Sequence, residues 1–541
     1  MIKTKLVAVL SAAALLALGA SMTSFAAGWE KDEVGIWHYY DSDDNMVEGE
    51  WKKDGGKWFY LDEDGDMKTD GWVDDYYVGS DGAMLVNQWY YGFGDDVEQD
   101  DPDDDGEHWY YFNSKGKKQE GKKKIGGKTY YFTEEGKMRW GWYEEETSTG
   151  SSVYYLGDEN EGWRAESQWL WLEKSGLEEV SEDDDMNRPV LDCSDDESDP
   201  CDDEGWYWFG SDGKMYYGKK QKKINGRYFM FNEHGQMLYE WINGGQVALG
   251  SNWALDGKIS SYGDSTIGQM KWFNQNGSDA EDGSRATGWQ KIDGSDDVGT
   301  SDDTKWYYID KGNAKHADKP KDFTGAYTDE GNPVFSARIK IDGKYFAFNE
   351  DGEMQDGLQF IKHDTYFFNA DGYMQTGKQA NVEEGDDSTY DYYFTTKNAG
   401  NGKGYTGEKN GYLYWKGKRC EAQDDYAIYF VDGYYWVVNS KGKLQKSDSK
   451  NYDIEQPNGE VVEHKFTSWT NKKKYKLAVK DTADDFVKEN ALLPFIQIED
   501  TVFYADPSTG VGDKATKASA VTGDVIAQTD AETLPKEDGK R

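Results

Sequence analysis

The residues of this chain with usable chemistry are aromatic rings, and they recur in a fixed order. Trp58-Phe59-Tyr60-Leu61 runs into Asp62-Glu63-Asp64-Gly65-Asp66-Met67, and Gly71-Trp72 follows. Tyr76-Tyr77-Val78 with Gly82 and Met84, and Tyr130-Tyr131-Phe132 with Gly136, Met138 and Gly141-Trp142, repeat the order. Ring faces attract cations, and they also stack on the apolar faces of sugars. Many copies of one aromatic surface point to repeated binding rather than to a single active site.

The spacing identifies an array. Met46 to Met67 and Trp51 to Trp72 are each 21 residues; Met67 to Met84 and Trp72 to Trp89 are each 17. Met and Trp therefore move together, as repeats do. Each unit reads as a β-hairpin: a strand over Gly49-Glu50-Trp51-Lys52, a tight turn at Asp54-Gly55-Gly56, and the aromatic strand Lys57 to Leu61. Alternation sets Trp58 and Tyr60 on one face and Phe59 and Leu61 on the other. One hairpin is marginal in water, so the units must stack and bury one another's rings. The expected fold is all-β, an elongated solenoid of stacked hairpin repeats of about 20 residues, with inserted loops between units at Tyr143 to Ser152, Leu172 to Asp203 and Asp293 to Thr304. With 15% aromatic residues and few aliphatic ones, its core is expected to consist of Trp, Tyr and Phe.

Residues 1–26 read as a signal peptide: Lys3 and Lys5, an apolar run from Leu6 to Leu18, and Ser24-Phe25-Ala26 before the cut. Residues 27–445 hold the repeats, and the pattern fades near Lys446. Residues 446–541 read as a C-terminal segment with two strands, Phe495 to Ile498 and Thr501 to Tyr504, as a cap or a small domain, and a disordered tail from Asp506. Of the three cysteines, Cys193 and Cys201 are near enough in sequence to pair in an oxidising compartment, which leaves Cys420 over.

The formal charge is −43, or −45 once Lys3 and Lys5 are removed with the signal. That disfavours nucleic acid and anionic membrane as partners and favours a cationic or neutral ligand. No membrane insertion is expected after signal cleavage. The six histidines are scattered over separate units, and no metalloprotease, nucleophile-elbow or phosphate-loop motif is present. Asp62-x-Asp64-Gly65-Asp66 lacks the rest of a calcium loop and reads as a turn. The chain is expected not to be an enzyme, and to use no cofactor and no metal.

The unit of Gly-Trp, aromatic triplet and Gly-x-Met, over roughly residues 28–445, resembles the choline-binding, or cell-wall-binding, repeat of bacterial surface proteins. It is similar also to the repeats of glucan-binding proteins and large clostridial toxins. The resemblance implies a secreted protein held without covalent linkage on the bacterial cell wall. Its partner would be teichoic-acid choline or another surface glycan. It further implies pockets between hairpins, walled by the Gly-Trp indole and first triplet aromatic of one unit and a triplet aromatic of the next, with a Met closing them. Carried onto this chain, the best set is Trp51, Trp58, Met67 and Tyr77, and a second is Trp37, Met46 and Tyr60. Further candidate walls are Trp72, Met84, Trp89, Trp109, Tyr111, Trp142, Trp206, Trp208, Trp289 and Trp306. Asp75 stands in the first triplet place after Trp72, and Gly121-Lys122 and Gly377-Lys378 replace Gly-Trp. Each of these rings has a competing use as core, and the Met residues as gap fillers between rings. A glycan lectin or adhesin is the alternative reading, and an array with no small ligand is the third.

Overall fold

A computed structural model describes residues 28–95, 106–147, 150–174, 203–217, 221–232, 234–243, 266–274, 283–294, 303–318, 336–385, 388–396, 401–498 and 501–510, together with 512, 514–517 and 526–527. The proposed signal peptide and the Cys193–Cys201 pair lie outside the described residues. The chain divides into two compact units, Met1–Gly218 with Phe231–Met237, and Lys219–Met230 with Leu238–Arg541.

The fold is all-β and built from antiparallel hairpins; the described residues contain one α-helix, Asp485–Glu489. The first four hairpins set the pattern. They pair β1 (Gly28–Lys31) with β2 (Trp37–Tyr40), β3 (Glu50–Asp54) with β4 (Lys57–Leu61), β5 (Gly71–Val73) with β6 (Tyr76–Val78), and β7 (Gln88–Gly92) with β8 (His108–Phe112). The β3–β4 turn has φ of +53° at Gly55 and +86° at Gly56. Positive φ at both central residues is the turn that matches strand twist, and glycine adopts it without strain.

After each aromatic strand the chain reverses through a loop closed by its first side chain. The Asp62 carboxylate accepts from the Asp64 and Asp66 amides at 3.1 and 2.9 Å, and the Gly65 amide donates to the Asp62 carbonyl at 3.0 Å. Asp41, Asn113, Asn232 and Asn349 do the same work in other units. The acidic turns are therefore self-capped loops. Among the described residues no group of three or more His, Cys, Asp or Glu is placed to hold a metal.

Two contacts tie a unit to the next. The backbone amide at the Met position reaches back to the preceding aromatic strand: Met67 donates to the Trp37 carbonyl at 2.7 Å, Met84 to Trp58 at 2.8 Å, and Met138 to Trp109 at 2.8 Å. The Met side chain lies on the glycine of the following loop. A Cβ on Gly82 would sit 2.7 Å from both Cε and Sδ of Met67. Met46 lies likewise on Gly65, Met84 on Gly116 and Met374 on Gly402. The thioether is a spacer between loops, as its shape suits.

The insertions are not between units. Trp142–Thr147 pairs with Gly150–Tyr155, so residues 143–152 lengthen a hairpin. Gln168–Glu173 pairs with Glu204–Phe209, and Gly288–Ile292 with Lys305–Asp310, so the other two insertions connect paired strands of one hairpin. The junction between units is filled and hydrogen-bonded, and near the tip the Glu173 carbonyl accepts from Trp142 Nε1 of the preceding hairpin at 3.1 Å.

Further along, the hairpin Tyr426–Val431 with Tyr434–Asn439 belongs to a larger mixed sheet. Tyr452–Glu455 and Ala491–Leu493 pair with its first strand in parallel. Strand pairing thus runs across residue 445. Phe495–Ile498 and Thr501–Tyr504 pair as expected. Lys514–Lys517 joins them, and Ile526–Ala527 pairs with Leu492 and Leu493, so part of the stretch read as a tail is strand. Here aliphatic side chains join the expected aromatic core: Ile428, Val437, Leu492 and Leu493 are buried in one cluster with Trp415, Phe430, Tyr435 and Trp436. Cys420 is buried in it as a free thiol, and burial pushes its pKa well above the ordinary value.

Candidate aromatic binding sites

On β4, Phe59 and Leu61 point inward, while Trp58 is 39% exposed and Tyr60 half-buried. The exposed face carries Trp51, which pairs with Tyr60 across the hairpin. Its indole lies 5.3 Å from the Tyr60 ring and 5.4 Å from Tyr76 of the next hairpin. All three rings are half-buried, and Trp58 stands two residues from Tyr60 on the same face. Lys53 Nζ is 5.6 Å from the Trp58 ring.

The arrangement recurs along the chain: a first-strand indole meets the aromatic opposite it and at least one aromatic of the next hairpin. Trp72 meets Tyr77 at 5.3 Å and Tyr110 at 4.9 Å. Trp89 meets Tyr111 and Tyr130, both at 5.0 Å. Trp142 meets Tyr155 at 5.4 Å and Tyr207 at 4.8 Å. Trp289 meets Tyr308 at 5.3 Å and Phe346 at 4.7 Å.

The residues expected to act together are sorted differently by the fold. Trp51 and Trp58 share a face, but the next-hairpin ring is Tyr76, not Tyr77. Tyr77 stacks on Tyr90 at 4.0 Å, and burial and that neighbour hold its phenol well above the usual range. Met67 lies on Gly82 rather than across the rings. Tyr60 belongs with Trp51, not with Trp37 and Met46. Trp37 lies under Lys31 Nζ at 5.5 Å. The ring that leads the first hairpin is Trp29, which the sequence reading passed over. It meets Tyr39 at 5.2 Å and Phe59 at 5.1 Å. The Gly28-Trp29 dipeptide was its signal.

Other candidates divide by burial. Trp142 is 2% exposed and its Nε1 donates to the Glu173 carbonyl at 3.1 Å, so it is a core ring. Trp72 packs with Tyr77, Tyr110 and Phe112, and its Nε1 donates to the Phe93 carbonyl at 2.9 Å. Trp208 meets Trp169 at 5.3 Å. Nearer the tips, Trp109 meets the exposed Tyr91 at 5.0 Å, and Trp206 meets the exposed Trp171 at 5.6 Å. Trp306 is exposed opposite Lys291. Trp51, Tyr60 and Tyr76 thus form a half-buried ring cluster across two hairpins.

Two family models match parts of the chain. Residues 45–84 match the family model described as "Choline-binding repeat", and residues 104–118, 123–138 and 201–215 match "Putative cell wall binding repeat". A search of curated proteins gave no match. Among solved structures, the modular autolysin LytC from Streptococcus pneumoniae aligns with TM-score 0.32 and 21% identity, over 61% of this chain and 52% of that one. Choline binding protein F from the same organism aligns with TM-score 0.30 and 21% identity, over 64% of this chain and 97% of that one. The choline-binding domain of its CbpL aligns with TM-score 0.23 and 24% identity, over 40% of this chain and 98% of that domain. The match spans about half the length of the autolysin.

Proposed function

We propose that this chain, which carries choline-binding repeats, is a secreted protein that attaches without covalent linkage to the bacterial cell wall by holding choline groups of a wall polymer in ring cups between hairpins. The observation that carries the reading is the half-buried cluster of Trp51, Tyr60 and Tyr76. A quaternary ammonium is held by ring faces and desolvation, and three such contacts give roughly millimolar affinity per site. Repetition along a polymer raises avidity without new contacts. The acidic chain favours a cationic group over an anionic one. The reading assigns no catalytic residue.

Choline titration of the mature chain, followed by Trp fluorescence and thermal melting, tests it with Trp51→Ala and Tyr76→Ala alongside. Saturable change and a raised melting temperature, weakened in both variants, are expected. No response at high choline would overturn it. The exposed ring pairs Tyr91–Trp109 and Trp171–Trp206 favour a second reading, glycan stacking. Response to wall oligosaccharide alone would select that reading.

A further inference from the structure

One unit keeps one ring of the Trp51 cluster, Tyr366 in the place of Tyr76, has Ala347 in the place of Tyr60, and sets a cation among its rings. Ala337–Ile341 pairs with Lys344–Phe348, and Arg338 stands where Trp51 stands in its hairpin. Its guanidinium carbon lies 4.5 Å from the Tyr345 ring centroid and 4.6 Å from Tyr366 of the next hairpin. Tyr345 holds the place of Trp58, and Tyr366 the place of Tyr76. Arg338 Nη1 is also 3.5 Å from Met374 Sδ and donates to the Asn401 carbonyl at 2.6 Å. Two ring faces, a thioether and a cation between them make a filled cation site. We propose that Arg338 is a built-in ligand: it occupies this site, closes it to external quaternary ammonium, and joins its own hairpin to the two units that follow. Guanidinium stacks on aromatic faces and keeps its donors for a carbonyl, which an ammonium methyl group cannot do.

A second hairpin carries the same substitution in weaker form. Lys122 replaces the Gly-Trp indole opposite Tyr131, and its Nζ lies 5.2 Å from that ring and 5.8 Å from Tyr154 of the next hairpin. Lys122 and Arg338 thus each set the chain's own cation where the hairpins of Trp51 and Trp72 carry an indole. The number of ligand sites is smaller than the number of hairpins for a chemical reason.

This inference rests on the choline reading, and one experiment separates the two. Tetramethylammonium is titrated calorimetrically into the full mature chain, into Arg338→Ala, and into Arg338→Trp, which restores an indole wall. Arg338→Lys, which keeps the charge, is the control. The expected result is one additional bound equivalent in Arg338→Ala or Arg338→Trp and none in Arg338→Lys. Circular dichroism identifies a variant that fails to fold, and the other variant then decides. If the wild type binds and neither variant gains a site, the Arg338 assignment falls and the choline reading stands. If the wild type binds nothing while a variant gains one equivalent, the choline reading falls and the assignment stands. No binding by any chain overturns both.

Discussion

The hairpins around Trp51 and the sheet around Ile428 solve the same problem differently. Near Trp51 each hairpin buries a few rings against its neighbour, in clusters as small as Tyr77, Tyr110 and Phe112. Around Ile428 one continuous cluster joins strands that are far apart in sequence, and aliphatic and aromatic side chains fill it together. Nearest-neighbour burial leaves ring faces partly exposed at the rim, as at Trp51, Trp58 and Tyr60. The larger core also keeps rings such as Tyr434, Trp469 and Phe486 at its edge, so the two regions differ in how far their contacts reach along the chain.

Four perturbations test that contrast, beginning with the largest. Lys418 Nζ is 2.8 Å from the Glu384 carboxylate, which also accepts from the Tyr392 hydroxyl at 2.6 Å and from the Gln497 amide at 2.9 Å. Both side chains are buried, so Lys418→Ala strands a carboxylate and is expected to cost about 3–5 kcal/mol in urea unfolding. A loss below about 1 kcal/mol would show that the pair does not organise this core. Ile428→Ala is expected to cost about 2–5 kcal/mol. Amide exchange should then quicken across the strands from 426 to 504 together, because they share one cluster. Exchange confined to one hairpin would erase the contrast.

In the hairpin array the effects should stay local. Gly82 has φ of +71° and no room beside Met67, so Gly82→Ala is expected to cost about 1–3 kcal/mol. Exchange should rise only in the two hairpins that Met67 and Gly82 connect. Adding Met67→Ala should recover at least about 0.5 kcal/mol of the clash, and strictly additive losses would refute the spacer role. The smallest effect concerns pH. Burial, with Glu350 and Glu353 adding to it, raises Asp351 to about 7. The native state then holds a proton that the unfolded chain has lost, so this group costs stability as pH rises from about 4 to about 7. Asp351→Asn should lower the melting temperature less between pH 5 and pH 8 than the wild type does. Parallel curves would count against it.

The hairpins were readable because their signals are local: Gly55-Gly56 between aromatic strands, and Met with Gly-Trp in one register. The faces of β4 followed from alternation alone. Assigning Tyr77 rather than Tyr76 to Trp51 came from counting triplet aromatics. The pairing register keeps the alignment of Asp75-Tyr76-Tyr77 with Trp58-Phe59-Tyr60, and the contact of Trp51 with Tyr76 depends on how neighbouring hairpins lie, which the sequence does not carry. The role of Arg338 was hidden because nothing in its dipeptide marks it as a substitute for Trp. The sheet around Ile428 was illegible for another reason. Its parallel pairing with Ala491 and Leu492 joins segments some sixty residues apart, and such contacts leave no period in the sequence.

The length of a hairpin and its strand register are separate properties. The stretch between Glu173 and Glu204 leaves the pairing from Gln168 to Phe209 in register. Natural variation and laboratory grafts can therefore rewrite the tips while the ring faces keep their phase, which makes each tip a port for foreign sequence on an unchanged chassis.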